Sequence, residues 1–573
     1  MNGAGPARTV LQSLILLGFL LNCSGADEPF RGHAPPEAFL EDPEYPYFGA
    51  ETPWNLRFFY EHAERLTKRQ GQRQMLEIVR GRPEEAVRYA EELLVVDPSD
   101  QESLFNLAVA RTQLGQLDEA LEAALLAEEA GLPFPRFLAG PRDLLKPLYD
   151  FEPFRREAER RDIRLIHGPM VGSVTGRRAR FWVRTSQESE VQVVAVADGA
   201  DPFRPNLLSE MGRSSAEDDF TAIVTLSGLQ PGTRYRYDVL VDGRPELDPD
   251  YPSFATSPER GAPARFEVGF GGGAGYVPRN ERMWNTISAR DVKAFLFLGD
   301  NVYVDLPEMP GGLHHYTYYR RQSGEEFRRL VARTAIYAIW DDHDSATDDV
   351  WLGPYSDRPS WKMPSLELFR GNWVNPGYGS EEWPATWFEF AIGDVDFFML
   401  DGRFYRTNPF GESPTMLGPD QKSWLLGRLM QSEATFKVLA SPVPWSFDTK
   451  GDAVDTWNGF RRERTEIFDF LAENKIEGVF LLSADRHRSD ARRIERPKGY
   501  PLYEFESSRL TNEAVHDLVA GALFGYNEKQ SFGLLTFDMT APDPAVRFRI
   551  VTIDSEVVGE ITLRRSELAH SLP

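Results

Sequence analysis

The chain has 573 residues, 41% of them hydrophobic, with 64 Lys and Arg set against 88 Asp and Glu for a formal net charge of −24. That length and apolar content suffice for several cores, so about three domains are expected. The acidic balance offers no footing for general binding to DNA, RNA or anionic lipid surfaces, and no nucleic-acid partner is expected.

In chain order, residues 1–26 read as an export signal. Arg8 lies in a short basic start, and the apolar run from Val10 to Leu21 is too short to span a bilayer. Leu20-Leu21-Asn22-Cys23 resembles a bacterial lipobox, which would make Cys23, the sole cysteine, the attachment point of a lipid anchor. Asn22 stands where a small residue is usual, and cleavage after Ser24-Gly25-Ala26 is the alternative. Either route predicts an exported protein, periplasmic or extracellular, and the first makes it a membrane-anchored lipoprotein. Residues 27–66, rich in Pro, acids and aromatics, read as an extended linker. Over residues 67–150, Gly81 recurs as Gly115 and Ala86 as Ala120, each 34 residues on. That period, with Leu104, Leu107, Ala108, Leu114 and Leu121 at helical spacing, is similar to tetratricopeptide repeats. A groove for a protein or peptide partner is one reading of them, and a helical spacer without a ligand is the other. Residues 160–260 alternate short β-rich runs with turns, as at Glu190 to Ala197, Phe220 to Leu226 and Tyr235 to Val241, which predicts a β-sandwich like fibronectin type III beside the next domain.

From residue 264 to 573 strands alternate with helices, an α/β pattern. Four times there an apolar stretch runs into a polar cluster: Gly299-Asp300-Asn301-Val302-Tyr303, Trp340-Asp341-Asp342-His343-Asp344, Leu400-Asp401-Gly402-Arg403 and Ser483-Ala484-Asp485-Arg486-His487. In an open α/β sheet, ligands bind beyond the carboxyl ends of the strands, so side chains far apart in sequence converge there. Each cluster alone has a bland explanation, as a turn, a helix N-terminus or a surface ion pair. Together they outline a metal site. Asp300, Asp305, Asp341, Asp342, Asp344, Asp401 and Asp485 in one crevice could not all ionise without cations. An oxygen-rich site with His343 and His487 suits two or more ions, divalent or trivalent: calcium, iron, manganese or zinc.

These four motifs, in this order, resemble the signatures of the alkaline phosphatase D (PhoD-like) branch of calcineurin-like metallophosphatases. Upstream, His167-Gly168-Pro169-Met170-Val171-Gly172 and Ala179-Arg180-Phe181-Trp182-Val183-Arg184 are similar to the start of that family's β-sandwich domain. The resemblance implies a multidomain chain ending in a four-layer α/β metallophosphatase domain that hydrolyses phosphate monoesters or diesters with a metal-bound hydroxide. It implies that Asp300 bridges two metals, that Asp342, Asp485 and His487 are ligands, and that His343 faces the substrate. Asn301, Tyr303 and Asp305 would line the pocket, Asn301 as a metal ligand and Tyr303 beside the substrate, and Arg403 and Arg406 would hold the phosphate. The family's first strand commonly ends in a Ser-Cys pair whose thiolate binds iron, whereas this chain reads Phe270-Gly271-Gly272-Gly273-Ala274-Gly275-Tyr276, with Gly273 the replacement position. Those glycines read either as an anion-binding nest or as a site of close backbone approach. Asp348-Asp349 stands where relatives carry an Asn beside the Asp, and Ala484 where they carry Gly.

Serine or cysteine nucleophiles are disfavoured, because no Gly-x-Ser-x-Gly elbow finds a matching acid and base and the one cysteine is near the N-terminus. The competing reading is a non-catalytic or weakly catalytic binding protein that uses the helical repeats to recruit a partner, supported by the missing thiolate.

Overall fold

The computed structural model describes residues 67–199, 207–247, 251–307, 311–447 and 449–570. The export signal, the linker and Cys23 lie outside them. Among the described residues no helix is long and apolar enough to cross a membrane.

Among the described residues seven helices come first: α1 Thr67–Val79, α2 Pro83–Val96, α3 Gln101–Gln113, α4 Leu117–Glu129, α5 Pro135–Ala139, α6 Arg142–Asp150 and α7 Glu152–Arg161. The 34-residue spacing has a local cause. Gly81 and Gly115 follow α1 and α3 at φ 73° and 74°, a left-handed turn that glycine makes without strain. Ala86, Ala90, Ala120, Ala123, Ala124 and Ala127 are buried, and their small side chains let the paired helices pack closely.

The strands that follow are β1 Leu165–Gly172, β2 Arg178–Thr185, β3 Ser189–Ala197, β4 Thr221–Ser227 and β5 Arg234–Val241, and then β6 Arg265–Gly271, β7 Ala294–Leu298 and β8 Ala335–Ile339. After them come β9 Phe388–Ile392, β10 Val395–Met399, β11 Phe436–Ala440, β12 Val479–Ser483 and β13 Ser489–Ile494, followed by β14 Leu502–Ser507, β15 Ala522–Tyr526, β16 Ser531–Asp538, β17 Ala545–Thr552 and β18 Val557–Arg564. One nine-stranded sheet runs β18-β17-β16-β6-β7-β8-β1-β2-β4, and a seven-stranded sheet runs β9-β10-β11-β12-β14-β13-β15. β1, β2 and β4 therefore belong to the same sheet as β6–β8, rather than to a sandwich standing merely beside it. The burial of β1 explains this: all eight of its residues are buried, so it needs cover on both faces and a neighbour on each edge, and it pairs with β2 and, in parallel, with β8. A smaller sheet centred on β3 and β5 covers β2 and β4 through Phe181, Val183 and Val224.

The two large sheets share a core. Phe266, Val268 and Phe270 of β6 lie in one cluster with Phe397, Val438, Phe480 and Phe505 of the seven-stranded sheet. α13 Gly418–Gln431 and α14 Arg461–Glu473, numbered to follow the helices below, pack Leu425, Leu429, Ile467 and Leu471 into the same cluster. Along β7 the side chains alternate: Leu296 and Leu298 turn to this core, whereas Phe295 and Phe297 turn to a second core built with α8 Met283–Ser288, α10 Glu325–Val331 and α12 Lys362–Asn372. Helices, two sheets and helices stack in the expected four layers. The aromatic-rich insert from Trp351 to Trp387 contains α12, and its Trp361, Phe369 and Trp373 are core side chains.

The N-terminal helices share a third core with the segment that follows β7. Leu306, and Leu313 and Tyr316 on α9 Gly312–Gln322, pack among Met75, Leu76 and Phe105. Asn106 Nδ2 donates to Tyr316 Oη at 3.2 Å, and the Gln72 amide donates to the Tyr303 carbonyl. The helical layer thus clamps the loop that carries Tyr303 and Asp305. Leu313→Ala should cost about 2–5 kcal/mol, the usual range for truncating a fully buried leucine, read as a drop in urea unfolding free energy; a change near zero would show that the helices do not share this core.

Candidate metal centre

Parallel pairing sets the geometry. β7 and β8 are in register to their last residues, Leu298 opposite Ile339, so Gly299-Asp300 emerges beside Trp340-Asp341. β11, β12 and β14 likewise run parallel and deliver the segments after Ala440 and Ser483 to the same end. Gly299 sits at φ 101°, where a Cβ would lie 2.5 Å from Asp341 Cβ, so only glycine admits this approach. Asp300, Asp305, Asp349, Asp485 and His487 all have positive φ, between 44° and 74°. Backbone in this region costs free energy for residues other than glycine, and its clustering here is typical of a functional site.

Asp300, Asp342 and His343 each bring a ligand-capable atom to within 4.8 Å of the others, and Asp342, Asp348 and Asp349 form a second such group. Tyr303 Oη donates to Asp300 Oδ2 at 2.8 Å, and it lies 3.2 Å from His487 Nε2. His343 Nδ1 bonds Asp305, and its Nε2 lies 3.7 Å from Asp348 Oδ1. Asp342 accepts the backbone N–H groups of His343 and Asp349 at 2.9 Å and 2.8 Å.

The residues present fit bound cations. Asp300 Oδ1, Asp341 Oδ2 and Asp485 Oδ2 are buried and accept no hydrogen bond. Burial, reinforced by Asp342 and Asp341 against the opposing pull of His343, holds the Asp300 carboxyl well above the ordinary carboxylate range. Burial and then Asp455 do the same to Asp349. For His343 burial acts downward, but Asp305, Asp342 and Asp300 prevail and raise it well above an ordinary histidine. The pocket carries more negative charge than its own cations balance, and hard oxygen ligands with imidazole are the donor set that di- and trivalent ions take up.

The other residues singled out from sequence are placed as follows. Asp344 accepts the backbone N–H groups of Asp341, Asn301 and Val302, and Asp401 those of Thr386, Arg403 and Phe404; both fasten loops instead of facing the pocket. Asn301 Nδ2 donates to the Ile339 carbonyl at 2.9 Å, which turns its amide toward β8 and braces the loop. Arg403, read as a phosphate contact, is fully buried. Its guanidinium bonds Asp341 through Nε, Val350 O through Nη1, and both oxygens of Asp455 at 2.6 Å and 3.1 Å. Arg406 is buried as well and bonds Asp455 Oδ1 and O, and Gly402 O. A guanidinium after an Asp fits phosphate, but here both arginines are bonded to Asp455, a carboxylate that no motif announces.

At the end of β6 the position expected to replace the thiolate is sterically closed. A Cβ on Gly273, at φ 65°, would stand 2.0 Å from Ser508 O. The neighbouring Gly272 and Ala274 N–H groups donate to Ser507 O and Asp300 O, so these glycines serve close approach and not an anion nest. Asn512 instead reaches this corner: its backbone N–H bonds Gly273 O, and its Nδ2 bonds Tyr303 Oη at 2.7 Å and lies 3.2 Å from His487 Nε2. Asn512, Asp455 and Lys450 are the site residues that sequence patterns did not reveal.

Residues 269–549 match the model of the PhoD-like phosphatase family, and residues 162–258 match a domain of unknown function, DUF7800. Over residues 269–549 the chain is similar to PhoD-like phosphatases. Alkaline phosphatase D of Bacillus subtilis (strain 168) is 30% identical over 120 residues, which cover 18% of this chain and 21% of that protein, so the match spans about a fifth of the curated relative. Among solved structures, that of PhoD aligns with a TM-score of 0.56 at 15% identity over 70% of this chain and 90% of that one. The purple acid phosphatase PPD1 from yellow lupin (Lupinus luteus) seeds aligns with a TM-score of 0.52 at 11% identity, covering 70% and 75%. The chain shares its fold with these two structures.

The raised carboxyls have a consequence for the metal-free protein. A carboxyl such as Asp300 that binds its proton more tightly folded than unfolded contributes stability at low pH and withdraws it as pH rises past the unfolded value of about 4. Chelated protein should therefore lose thermal stability as pH is raised from 5 to 8 by more than protein supplied with calcium or manganese; identical pH profiles with and without the ions would show that no cation is bound at these carboxyls.

Proposed function

We propose that this protein hydrolyses phosphate esters at a centre of two or more metal ions held by Asp300, Asp342, Asp485 and His487. The observation that carries the reading is the convergence of Asp300, Asp342 and His343 within ligand distance, in a pocket whose buried carboxylates lack enough cations, inside a PhoD-like phosphatase domain. Ions bound there supply Lewis acidity toward a phosphoryl oxygen and lower the pKa of water. Tyr303 orients Asp300 by occupying one of its oxygens and leaves the other for the metal. Asp305 holds His343 through Nδ1, so Nε2 is the nitrogen that presents a proton to the departing ester oxygen.

Arg403 and Arg406 act in this reading by position: they bind Asp341 and Asp455 and keep the carboxylate wall in place. Arg486, whose side chain is largely buried and whose Nε makes no hydrogen bond, is the guanidinium left to meet a phosphate near Asp485. The proposal extends to the ends of the chain. The N-terminal sequence supports export, with either a lipid at Cys23 or cleavage after Ala26, and the glycine turns 34 residues apart support tetratricopeptide-like packing of α1 to α4 with a protein or peptide partner. The alternation of β3, β4 and β5 supports a fibronectin type III-like sandwich.

With a generic phosphomonoester and a generic phosphodiester, His343→Asn should lower kcat/KM by ~10²–10⁴-fold. Asp300→Asn, or chelation, should bring hydrolysis to background, with chelated wild type recovering when metal is returned. Wild type and both variants hydrolysing at the same background rate with every metal supplied would leave the non-catalytic binding reading.

A further inference from the structure

Facing the acidic pocket from the extended segment Thr449–Asp452 is a lysine that no motif marks. Lys450 Nζ donates to Asp349 Oδ1 at 2.5 Å and to Asp455 Oδ2 at 3.2 Å, and lies 4.0 Å from Asp485 Oδ2. The partners come from three separate parts of the chain and are themselves mostly buried, with side-chain exposures of 17%, 4% and 10%. An ammonium among three carboxylates stands where a divalent ion would find the same oxygens. Asp349 also belongs to the Asp342, Asp348 and Asp349 group, so the lysine reaches into the outer of the two ligand groups and takes one of its oxygens. The inner group, Asp300, Asp342 and His343, makes no ion pair with Lys450 in the structure.

Resting on the metal-dependent reading above, we propose that Lys450 is a built-in cation that fills the Asp349 and Asp455 side of the pocket, excludes a metal ion from it, and so sets how many ions the centre holds. Electrostatics favour this arrangement. A fixed ammonium compensates the outer carboxylates at every metal concentration, whereas a mobile ion would do so only when supplied. Asp455 is already shared with Arg403 and Arg406, so a single positive charge from Lys450 completes its surroundings. In this arrangement Lys450 is a positioning residue. It pairs with none of Asp300, Asp342 and His343 and acts through the carboxylates it holds.

The test is metal stoichiometry by inductively coupled plasma mass spectrometry on full-length wild type, Lys450→Met and Lys450→Arg, each saturated with calcium or with manganese and desalted, together with thermal unfolding before and after adding the ion. Lys450→Met should bind one more equivalent than wild type and gain more in Tm on adding the ion, while Lys450→Arg, which keeps the charge, should match wild type. Equal stoichiometry in Lys450→Met and wild type would overturn the proposal. So would a Lys450→Met protein that stays unfolded at saturating metal, because an ion would then have failed to replace the missing charge. Wild type that binds no metal at all would instead overturn the reading on which the proposal rests, so the two failures are told apart.

Discussion

Charge compensation is the constraint on which the rest of this structure depends. Asp300, Asp341, Asp342, Asp349, Asp455 and Asp485 lie within one buried or half-buried pocket, and the side-chain cations that contact them are Arg403, Arg406, Lys450 and Arg486. Three of those cations are committed to one wall, where Asp455 receives Arg403, Arg406 and Lys450 together; Arg403 foremost, then Lys450 and Arg406, hold its carboxyl well below the ordinary range against burial. Among the described residues, the opposite wall, around Asp300, has only Tyr303 and the imidazoles. The pocket is therefore divided into a half neutralised by the protein and a half that calls for external cations, and the group of Asp300, Asp342 and His343 faces the second half. Buried ions left unpaired cost several kcal/mol each, which is why this division is a matter of stability as well as of chemistry.

The fold serves that division by controlling where backbone approaches backbone. Parallel register brings the ends of β7 and β8 level, and Gly299 removes the side chain that would hold them apart. On the other flank Gly273 lets Ser508 O close over the end of β6, which forecloses a side-chain ligand there and brings Asn512 to Tyr303 and His487. The helical layer completes the enclosure. Its Gln72 and Asn106 reach the loop and helix that follow Asp300, so the helices, whose repeats fit either a partner groove or a spacer, are also part of the wall behind Asp300 and Tyr303.

Much of this was legible in sequence, and the reasons are physical. An Asp placed directly after an apolar strand announces itself as a candidate, because the strand must be buried and the Asp that follows must lie at the sheet's carboxyl end; this brought forward Asp300, Asp342, Asp485 and His487. The glycine period at Gly81 and Gly115 was legible because a left-handed helix end favours glycine. Asp455, Lys450 and Asn512 were not legible, since each arrives from an irregular or short extended segment with no apolar run before it. Arg403 and Arg406 were read from chemistry alone, which gives the kind of partner a guanidinium takes but not whether a carboxylate of the chain has already taken it. The sharing of one sheet by β1, β2 and β4 with β6–β8 escaped sequence reading because pairing between strands so distant in the chain leaves no local pattern.

Anomalous X-ray diffraction from crystals grown with manganese tests the central claim most directly. The account predicts anomalous peaks within bonding distance of Asp300, Asp342 and His487, on the side of the pocket away from Lys450 and Asp455. A well-ordered pocket with no anomalous peak, its Asp300 and Asp342 carboxyls bonded only to protein and water, would contradict it.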